Sequence, residues 1–87
     1  MKIKYHKRFE KQFKKLVPKL KAKTIKAIEI FITDPHHESL RNHSLKGLLI
    51  SKKAISITGD VRIIFEEFDN YTLVIFLDIG THSQIYK

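Results

Sequence analysis

Residues 61–78 read VRIIFEEFDNYTLVIFLD, two apolar runs rich in β-branched and aromatic residues on either side of Asp69-Asn70. Such runs favour β-strands, and a two-residue polar break between them is typical of a tight hairpin. We therefore predict antiparallel strands over residues 61–68 and 71–78. Because both runs are so apolar, we expect at least one face of the hairpin to be buried.

Shorter strands and loops are predicted on both sides of this hairpin. Residues 54–58, AISIT, alternate apolar and polar side chains and precede a Gly-Asp turn signal at 59–60. Residues 48–50 form another short candidate strand. The polar, histidine-rich residues 34–43 are interpreted as a loop, and the tail, residues 80–87, as a short strand or turn.

The N-terminal third predicts a strand and two helices. Residues 2–5 alternate polar and apolar side chains, as a short strand does. From His6 onward, apolar residues recur on one helical face, namely Phe9, Phe13, Leu16 and Val17. Pro18 ends this helix and suits the first turn of the next, which we predict over residues 19–33. The whole order predicts one α+β domain over residues 1–87, with a short strand and a basic helical hairpin packed on three or four mainly antiparallel strands.

The chain has a net charge of +8, and the positive charge is concentrated in its first third. Residues 1–26 hold eleven lysines and arginines but a single acid, Glu10. Such a field attracts phosphate backbones, anionic lipid or an acidic protein. Any single lysine can simply solvate the outer face of a helix, but the imbalance as a whole predicts a polyanionic partner.

Composition also limits the compartment and the chemistry. There is no cysteine, which excludes disulfides, thiolate metal sites and a thiol nucleophile. Residues 1–6 lack the apolar run of a signal peptide, and no apolar run approaches the ~20 residues that span a membrane. We expect a soluble protein of the cytoplasm with no membrane partner. The five histidines show no metal-binding spacing, so we expect no metal and no other cofactor.

Three segments resemble motifs of one known family. Residues 78–86, DIGTHSQIY, resemble the closing G-T-H-[SA]-x-[LI]-[FY] motif of YafQ-like toxins. Residues 40–47, LRNHSLKG, resemble their H-x-L-x-G stretch, and residues 59–65, GDVRIIF, resemble the D-[YW]-R-[IL]-[IL]-[YF] strand of RelE-like proteins. With the basic helical hairpin first, the chain resembles the RelE/ParE toxin superfamily, and more narrowly its YafQ-like branch.

This resemblance implies an mRNA interferase, the toxin of a type II toxin–antitoxin system. Such a toxin enters the ribosomal A site, cuts translated mRNA there, and is held in check by a cognate antitoxin, which we expect to be acidic. The active-site positions of the YafQ-like branch fall on His43, Asp60 and His82. The strand arginine falls on Arg62, and the tail aromatic, which can stack on a base or donate its hydroxyl, on Tyr86.

The implied chemistry is metal-free cleavage by the 2′-hydroxyl of the RNA. A base removes the hydroxyl proton, an acid protonates the departing 5′-oxygen, and cations stabilise the phosphate. Histidine titrates near neutral pH, so His82 suits either proton transfer, whereas Asp60 is either a base or the group that orients a histidine. We expect Arg62, with Lys52 or Lys53, to bind the scissile phosphate.

Each of these residues also has a purely structural interpretation. A tail histidine between Thr81 and Ser83 can cap a turn, and an aspartate after Gly59 is a common turn residue. A lone loop histidine such as His43 is usually just solvated. Arg62 is different, because a charge within an apolar strand must face solvent or a partner.

Three departures from the family pattern favour a second, non-enzymatic hypothesis. Val61 stands where relatives carry an aromatic residue, and Ser56 where some carry a further histidine. Residues 48–53, LLISKK, lack the expected aromatic–arginine pair. The alternative is therefore a ParE-like or degenerate toxin that acts by contact alone. A third hypothesis is a simple nucleic-acid-binding module that uses the lysine-rich helices.

Overall fold

The structure, a computed structural model, describes residues 1–85 as a five-stranded sheet with two longer helices on one face and a single helical turn on the other. The five strands are β1 (Lys2–Tyr5), β2 (His43–Ser44), β3 (Lys53–Ser56), β4 (Val61–Phe68) and β5 (Leu73–Thr81). The three α-helices are α1 (Lys7–Lys14), α2 (Pro18–Thr33) and α3 (His82–Ile85), and two 3-10 turns span Glu38–Leu40 and Gly47–Leu49. The predicted α+β class and element order are confirmed.

The sheet has the strand order β1-β5-β4-β3-β2. Strands β2 to β5 pair antiparallel, whereas β1 runs parallel to β5 at one edge. Two parallel strands need a long connection between them. Here the connection from β1 to β5 includes helices α1 and α2 and then strands β2 to β4. The four-residue edge strand β1 and the two-residue β2 therefore flank a central β3–β5 meander.

The main core lies between the sheet and the first two helices. Phe31 of α2 is fully buried, with its ring centroid 5.1 Å from that of Phe65 and 5.6 Å from that of Phe76. Phe9 of α1 reaches the same ring of β5 at 5.5 Å. The predicted apolar helix face is thus inward, apart from Val17, which is 58% exposed because it is the N-cap of α2.

The other side of the sheet, called the open face below, carries a second and smaller cluster. Its members are Leu45, Leu49, Ala54, Ile64, Leu77 and Ile85. A register shift follows Ile64, which pairs with Asp78, whereas Phe65 pairs with Phe76. The extra residue on β5 is Leu77, so the shift is a β-bulge of the kind that turns two consecutive side chains toward one face.

The β4–β5 hairpin is confirmed, but its turn is longer than the two residues predicted. Strand β4 spans the predicted residues 61–68, whereas β5 begins at Leu73 rather than at residue 71. Asp69, Asn70 and Tyr71 all have positive φ angles. The tyrosine explains the difference, since its ring is buried and its N–H donates to the Glu67 carboxylate at 2.9 Å.

The predicted strand over residues 48–50 is wrong. Gly47 has a φ of +67° and starts a 3-10 turn instead. Only Leu49 packs against the open-face cluster, whereas Leu48 is 100% exposed and Ile50 76% exposed. The apolar composition was misleading because these side chains are not buried in a sheet.

No helix among residues 1–85 is long and apolar enough to cross a membrane.

Candidate functional site

The tail motif folds as a capped helical turn rather than as the strand or turn predicted. Thr81 Oγ1 accepts from the Gln84 N–H at 3.3 Å, and Gln84 Oε1 accepts from the Thr81 N–H at 2.8 Å. This reciprocal pair is a capping box, whose signature T-x-x-Q is present in the sequence. It starts α3 at His82 and fixes the backbone of that residue at the end of β5.

Gly80 provides the space that this cap needs. A Cβ atom built at Gly80 would lie 2.9 Å from Gln84 Oε1 and 3.5 Å from Gln84 Cβ. The Gln84 side chain therefore folds back over Gly80, which has no side chain to block it. Any larger residue would displace the capping oxygen.

Asp60 and His82 are brought together across 22 residues of sequence. The His82 N–H points at both the backbone oxygen of Asp60, at 3.1 Å, and its Oδ1, at 3.3 Å. Thr58 Oγ1 in turn accepts from the N–H groups of Asp60, at 3.3 Å, and Val61, at 3.0 Å. Asp60 thus has the structural role of joining the β3–β4 turn to the tail. Its side chain and that of His82 are both exposed, so both are accessible to a substrate.

Arg62 lies two residues beyond Asp60, on the open face. It pairs with Ser56 on β3 and with Gly80 on β5. The arginine is half-buried, and its Nε has no hydrogen-bond partner within residues 1–85 although the atom is buried. A buried guanidinium N–H without a partner is costly, so this group is available for an acceptor that arrives with a ligand.

His43 lies apart from the Asp60–His82 pair. It is on β2, three strands from β5, and its register partner chain runs through Ala54 and Ile64 to Asp78. That places it roughly 14 Å across the sheet from β5, and roughly 10 Å along it from Thr81, at the usual strand dimensions. A substrate that contacts His43 and His82 together must therefore be extended.

The ring of His43 has a defined orientation. Its Nδ1 lies 2.8 Å from the carbonyl oxygen of Arg41. Because a carbonyl oxygen only accepts, Nδ1 must carry a hydrogen, which leaves Nε2 as the acceptor of the neutral ring. The exposed His43 can thus take a proton at Nε2.

The two candidate lysines lie on opposite faces of the sheet. Lys53 Nζ is 3.9 Å from Glu67 Oε1 and 5.4 Å from the centroid of the Tyr71 ring, on the helix side. Lys52 lines an open-face groove of about 250 Å³. Tyr86 lies outside the described residues. The structure therefore brings together Asp60, His82 and Arg62, with Lys52 on the same face and Lys53 on the other.

Two features near these residues were not predicted. The first is an ion pair between Arg8 Nε and Asp78 Oδ2, at 2.8 Å across 70 residues. The hydrogen bond that Arg8 donates to Asp78, and then the negative charge of that carboxylate, raise the pKa of Arg8. The second is Arg41, whose φ of +50° places a non-glycine residue in the left-handed region. The ion pair has no local sequence signal because its partners are 70 residues apart, and the Arg41 conformation has none because arginine rarely adopts the left-handed region.

Comparison with known proteins identifies the family. The model of the YafQ family, described as bacterial toxins of type II toxin–antitoxin systems, matches residues 1–87. The chain belongs to the YafQ toxin family. No curated protein sequence matches this YafQ-family chain.

Solved structures agree with the YafQ-family fold. The crystal structure of YafQ from E. coli strain BL21(DE3) is 21% identical, with a TM-score of 0.80, and the match covers 98% of this chain and 97% of that one. The E. coli DinJ-YafQ complex matches at 22% identity and a TM-score of 0.70, over 98% and 97% of the two chains. The archaeal RelE-RelB complex from Pyrococcus horikoshii OT3 matches at 17% identity and 0.75, over 95% and 96%. The predicted family and the function of a type II toxin are confirmed.

Proposed function

We propose that this YafQ-family toxin is a ribosome-dependent endoribonuclease that cleaves translated mRNA, with Asp60, Arg62 and His82 at its centre. The observation that supports this most is the fixed pairing of two exposed acid–base residues, Asp60 and His82, beside a half-buried arginine. These groups lie at one end of an open sheet face on a protein of charge +8. A strongly basic surface favours binding of an RNA backbone.

The proposed reaction is attack of a 2′-oxygen on the adjacent phosphorus. The 2′-hydroxyl proton passes to a base, the P–O5′ bond breaks, and an acid protonates the departing 5′-oxygen, leaving a 2′,3′-cyclic phosphate and a 5′-hydroxyl. Asp60 and His82 provide these two proton transfers, each of which typically contributes 10²–10⁴-fold to the rate. Arg62 supplies positive charge to the phosphate oxygens, on which charge builds in the transition state.

His43 and Lys52 are proposed to contact RNA away from the cleaved bond. The estimated separation of His43 from the end of β5 is too great for direct proton transfer at the same phosphate. Lys52 lines the open-face groove beside the neutralised Arg8–Asp78 pair, so it is the free cation on that part of the face among the residues lining the groove. Lys53 is not included, because its ammonium is engaged by Glu67 and Tyr71 on the helix side. Tyr86 stays a proposed base-stacking residue.

Induced expression of His82→Ala in bacteria tests the proposed activity. We expect the wild type to arrest growth with loss of intact mRNA, and the variant to lose at least about 100-fold of the cleavage, the usual contribution of one acid–base group. The backbone N–H that bonds to Asp60 is retained in the variant. RNA blots and growth curves provide the measurements.

His37→Asn is the matched control for this experiment. His37 caps a 3-10 turn, where its Nδ1 accepts from the Ser39 N–H at 3.1 Å, and asparagine is a good cap in the same place. The control should therefore cleave like the wild type. Growth arrest with intact mRNA in the wild type would instead support the contact-only toxin, for which the exposed Leu48 and Ile50 of the divergent loop offer a binding surface.

We also propose a cognate antitoxin of acidic character as the partner. The family is defined by toxin–antitoxin pairs, and the E. coli relative is described in a complex with DinJ. In this chain, α1 and α2 border an apolar groove of about 350 Å³ whose lining residues are Tyr5, Phe9, Phe13, Ile25 and Ile28, with Lys14 and the single acid Glu10. An acidic amphipathic helix complements both the apolar floor and the surrounding charge. Co-purification with the product of the adjacent reading frame tests this pairing.

A further inference from the structure

A polar depression beside the proposed active site has the chemistry of a phosphate-binding site. It measures about 270 Å³ and is lined by Ser39, Arg41, Ser56, Ile57, Thr58, Gly59 and Arg62. These residues include two guanidinium groups and three hydroxyls, and no carboxylate from residues 1–85 lines the depression. Arginine binds phosphate with a planar fork of N–H donors, and hydroxyls add further donors.

We propose that this depression, the Arg41–Arg62 pocket, binds a phosphodiester of the RNA substrate next to the one that is cleaved. This inference rests on the proposed nuclease function, because it assigns a subsite to the same substrate. Gly59 lines the pocket, but Asp60 and His82 do not. A phosphate seated in the pocket is thus a neighbour of the reacting phosphate and serves to position the strand.

Arg62 is the strongest evidence that the pocket binds an anion. Its Nε is buried and has no hydrogen-bond partner within residues 1–85, so a small rotation of the side chain that turns this N–H toward a phosphate oxygen in the pocket would satisfy it. Its cross-strand neighbour on the open face is Ser56, a small residue that leaves the space open. With five N–H donors in its guanidinium, Arg62 can contact this phosphate and still supply charge toward the Asp60–His82 end.

Arg41 completes the pocket from the other side. Its left-handed backbone is held by its own N–H, which donates to Glu38 at 3.3 Å, and by its carbonyl, which accepts from His43 at 2.8 Å. Such strained conformations in non-glycine residues concentrate at functional sites. Here the strain places the exposed Arg41 opposite Arg62 and couples the pocket to His43, which gives His43 a positioning role as well.

The positive charge continues away from the active site. A second depression shares Ser39, Ser56 and Ile57 with the pocket and is also lined by Lys23 and Lys26 of α2. The two depressions thus present four cations in series, without an acid from residues 1–85 among their lining residues. This continuity favours an extended polyanion over a single small carboxylate ligand.

The test measures binding of a short 2′-O-methyl RNA, which cannot be cleaved by 2′-hydroxyl attack. We expect Arg41→Asn to weaken binding about 5- to 10-fold and to reduce the slope of log K against log salt by about 0.7, the value for one cation on single-stranded nucleic acid. Asparagine adopts the left-handed region readily, so the fold should be preserved. Lys15→Gln is the matched control, since it removes one exposed cation that lines neither depression, and we expect less than a 2-fold change.

A second readout follows the Arg62 Nε–H signal by NMR during titration with inorganic phosphate. We expect the signal to shift in the wild type and in Lys15→Gln, and to shift much less in Arg41→Asn. Three results would each overturn the proposed pocket. The first is an equal loss of RNA binding in Arg41→Asn and Lys15→Gln, and the second is an Arg62 signal that does not shift with phosphate in the wild type. The third is a shift with inorganic phosphate in the wild type while Arg41→Asn binds RNA with unchanged affinity. Normal pocket behaviour without cleavage of unmodified RNA on ribosomes would overturn the nuclease proposal instead, so the two failures are distinguishable.

Discussion

At the scale of single residues, Gln84 shows how a motif of the family doubles as a structural device. Its side chain caps Thr81, and the cap sets the backbone of His82 against Asp60. The sequence contains the full T-x-x-Q signature, so this turn was predictable from local chemistry. Arg41 was not, because arginine has no preference for the left-handed conformation that it adopts between the 3-10 turn and His43.

Substitutions at Gln84 test whether its helix cap holds His82 in place. We expect Gln84→Ala to lower the free energy of unfolding by roughly 0.5–1 kcal/mol, in line with the loss of a helix cap, and to reduce cleavage by displacing His82. Gln84→Glu keeps the reciprocal cap and should retain both. Urea unfolding and ribosomal cleavage rates provide the measurements, and equal loss in the two variants would argue against the capping role.

At the scale of elements, burial decided which predictions from sequence were correct. Strand β4 was predicted at its observed bounds, because its β-branched and aromatic side chains from Val61 to Phe65 are buried in one or other of the two apolar clusters. Residues 48–50 have similar composition but are exposed beyond Leu49, so composition alone gave the wrong element. The candidate site was likewise predicted only in part. Motifs located Asp60, Arg62 and His82, whereas only the contacts of Lys52 and Lys53 show which of the two lysines faces the candidate site.

The packing of α2 on the sheet should depend on its one fully buried ring. We expect Phe31→Ala to lower the free energy of unfolding by about 3–5 kcal/mol, the usual cost of emptying a buried aromatic site. Ile32→Ala, at a neighbouring position that is 50% exposed, should change it by less than about 1 kcal/mol. Chemical denaturation of the two variants measures the difference, and similar values would contradict the assigned helix face.

At the scale of the whole molecule, a charge of +8 should dominate RNA affinity. If Arg41, Arg62 and Lys52 each neutralise one phosphate, log K should fall with a slope near −2 against log salt for single-stranded RNA. Between 50 and 200 mM salt that slope corresponds to a loss of about 20-fold. Fluorescence anisotropy with a 2′-O-methyl RNA measures the slope, and a salt-independent affinity would exclude phosphate contacts as its main source.

The same distribution of charge separates two surfaces. Helices α1 and α2 carry seven of the fourteen lysines and border an apolar groove, whereas Asp60, Arg62 and His82 lie together at one end of the open face. This separation is consistent with a toxin that meets an acidic antitoxin at the groove between its helices and RNA on its sheet and the adjoining lysines of α2. The proposed RNA cleavage is assigned to the sheet.

The most direct test of that claim is to map mRNA ends after translation in a purified system with the toxin added. The account predicts cuts at the ribosomal A site, with a 2′,3′-cyclic phosphate on the upstream fragment and a 5′-hydroxyl on the downstream one, and predicts their loss with His82→Ala. Intact mRNA on ribosomes that have stopped, with wild type and variant acting alike, would contradict it.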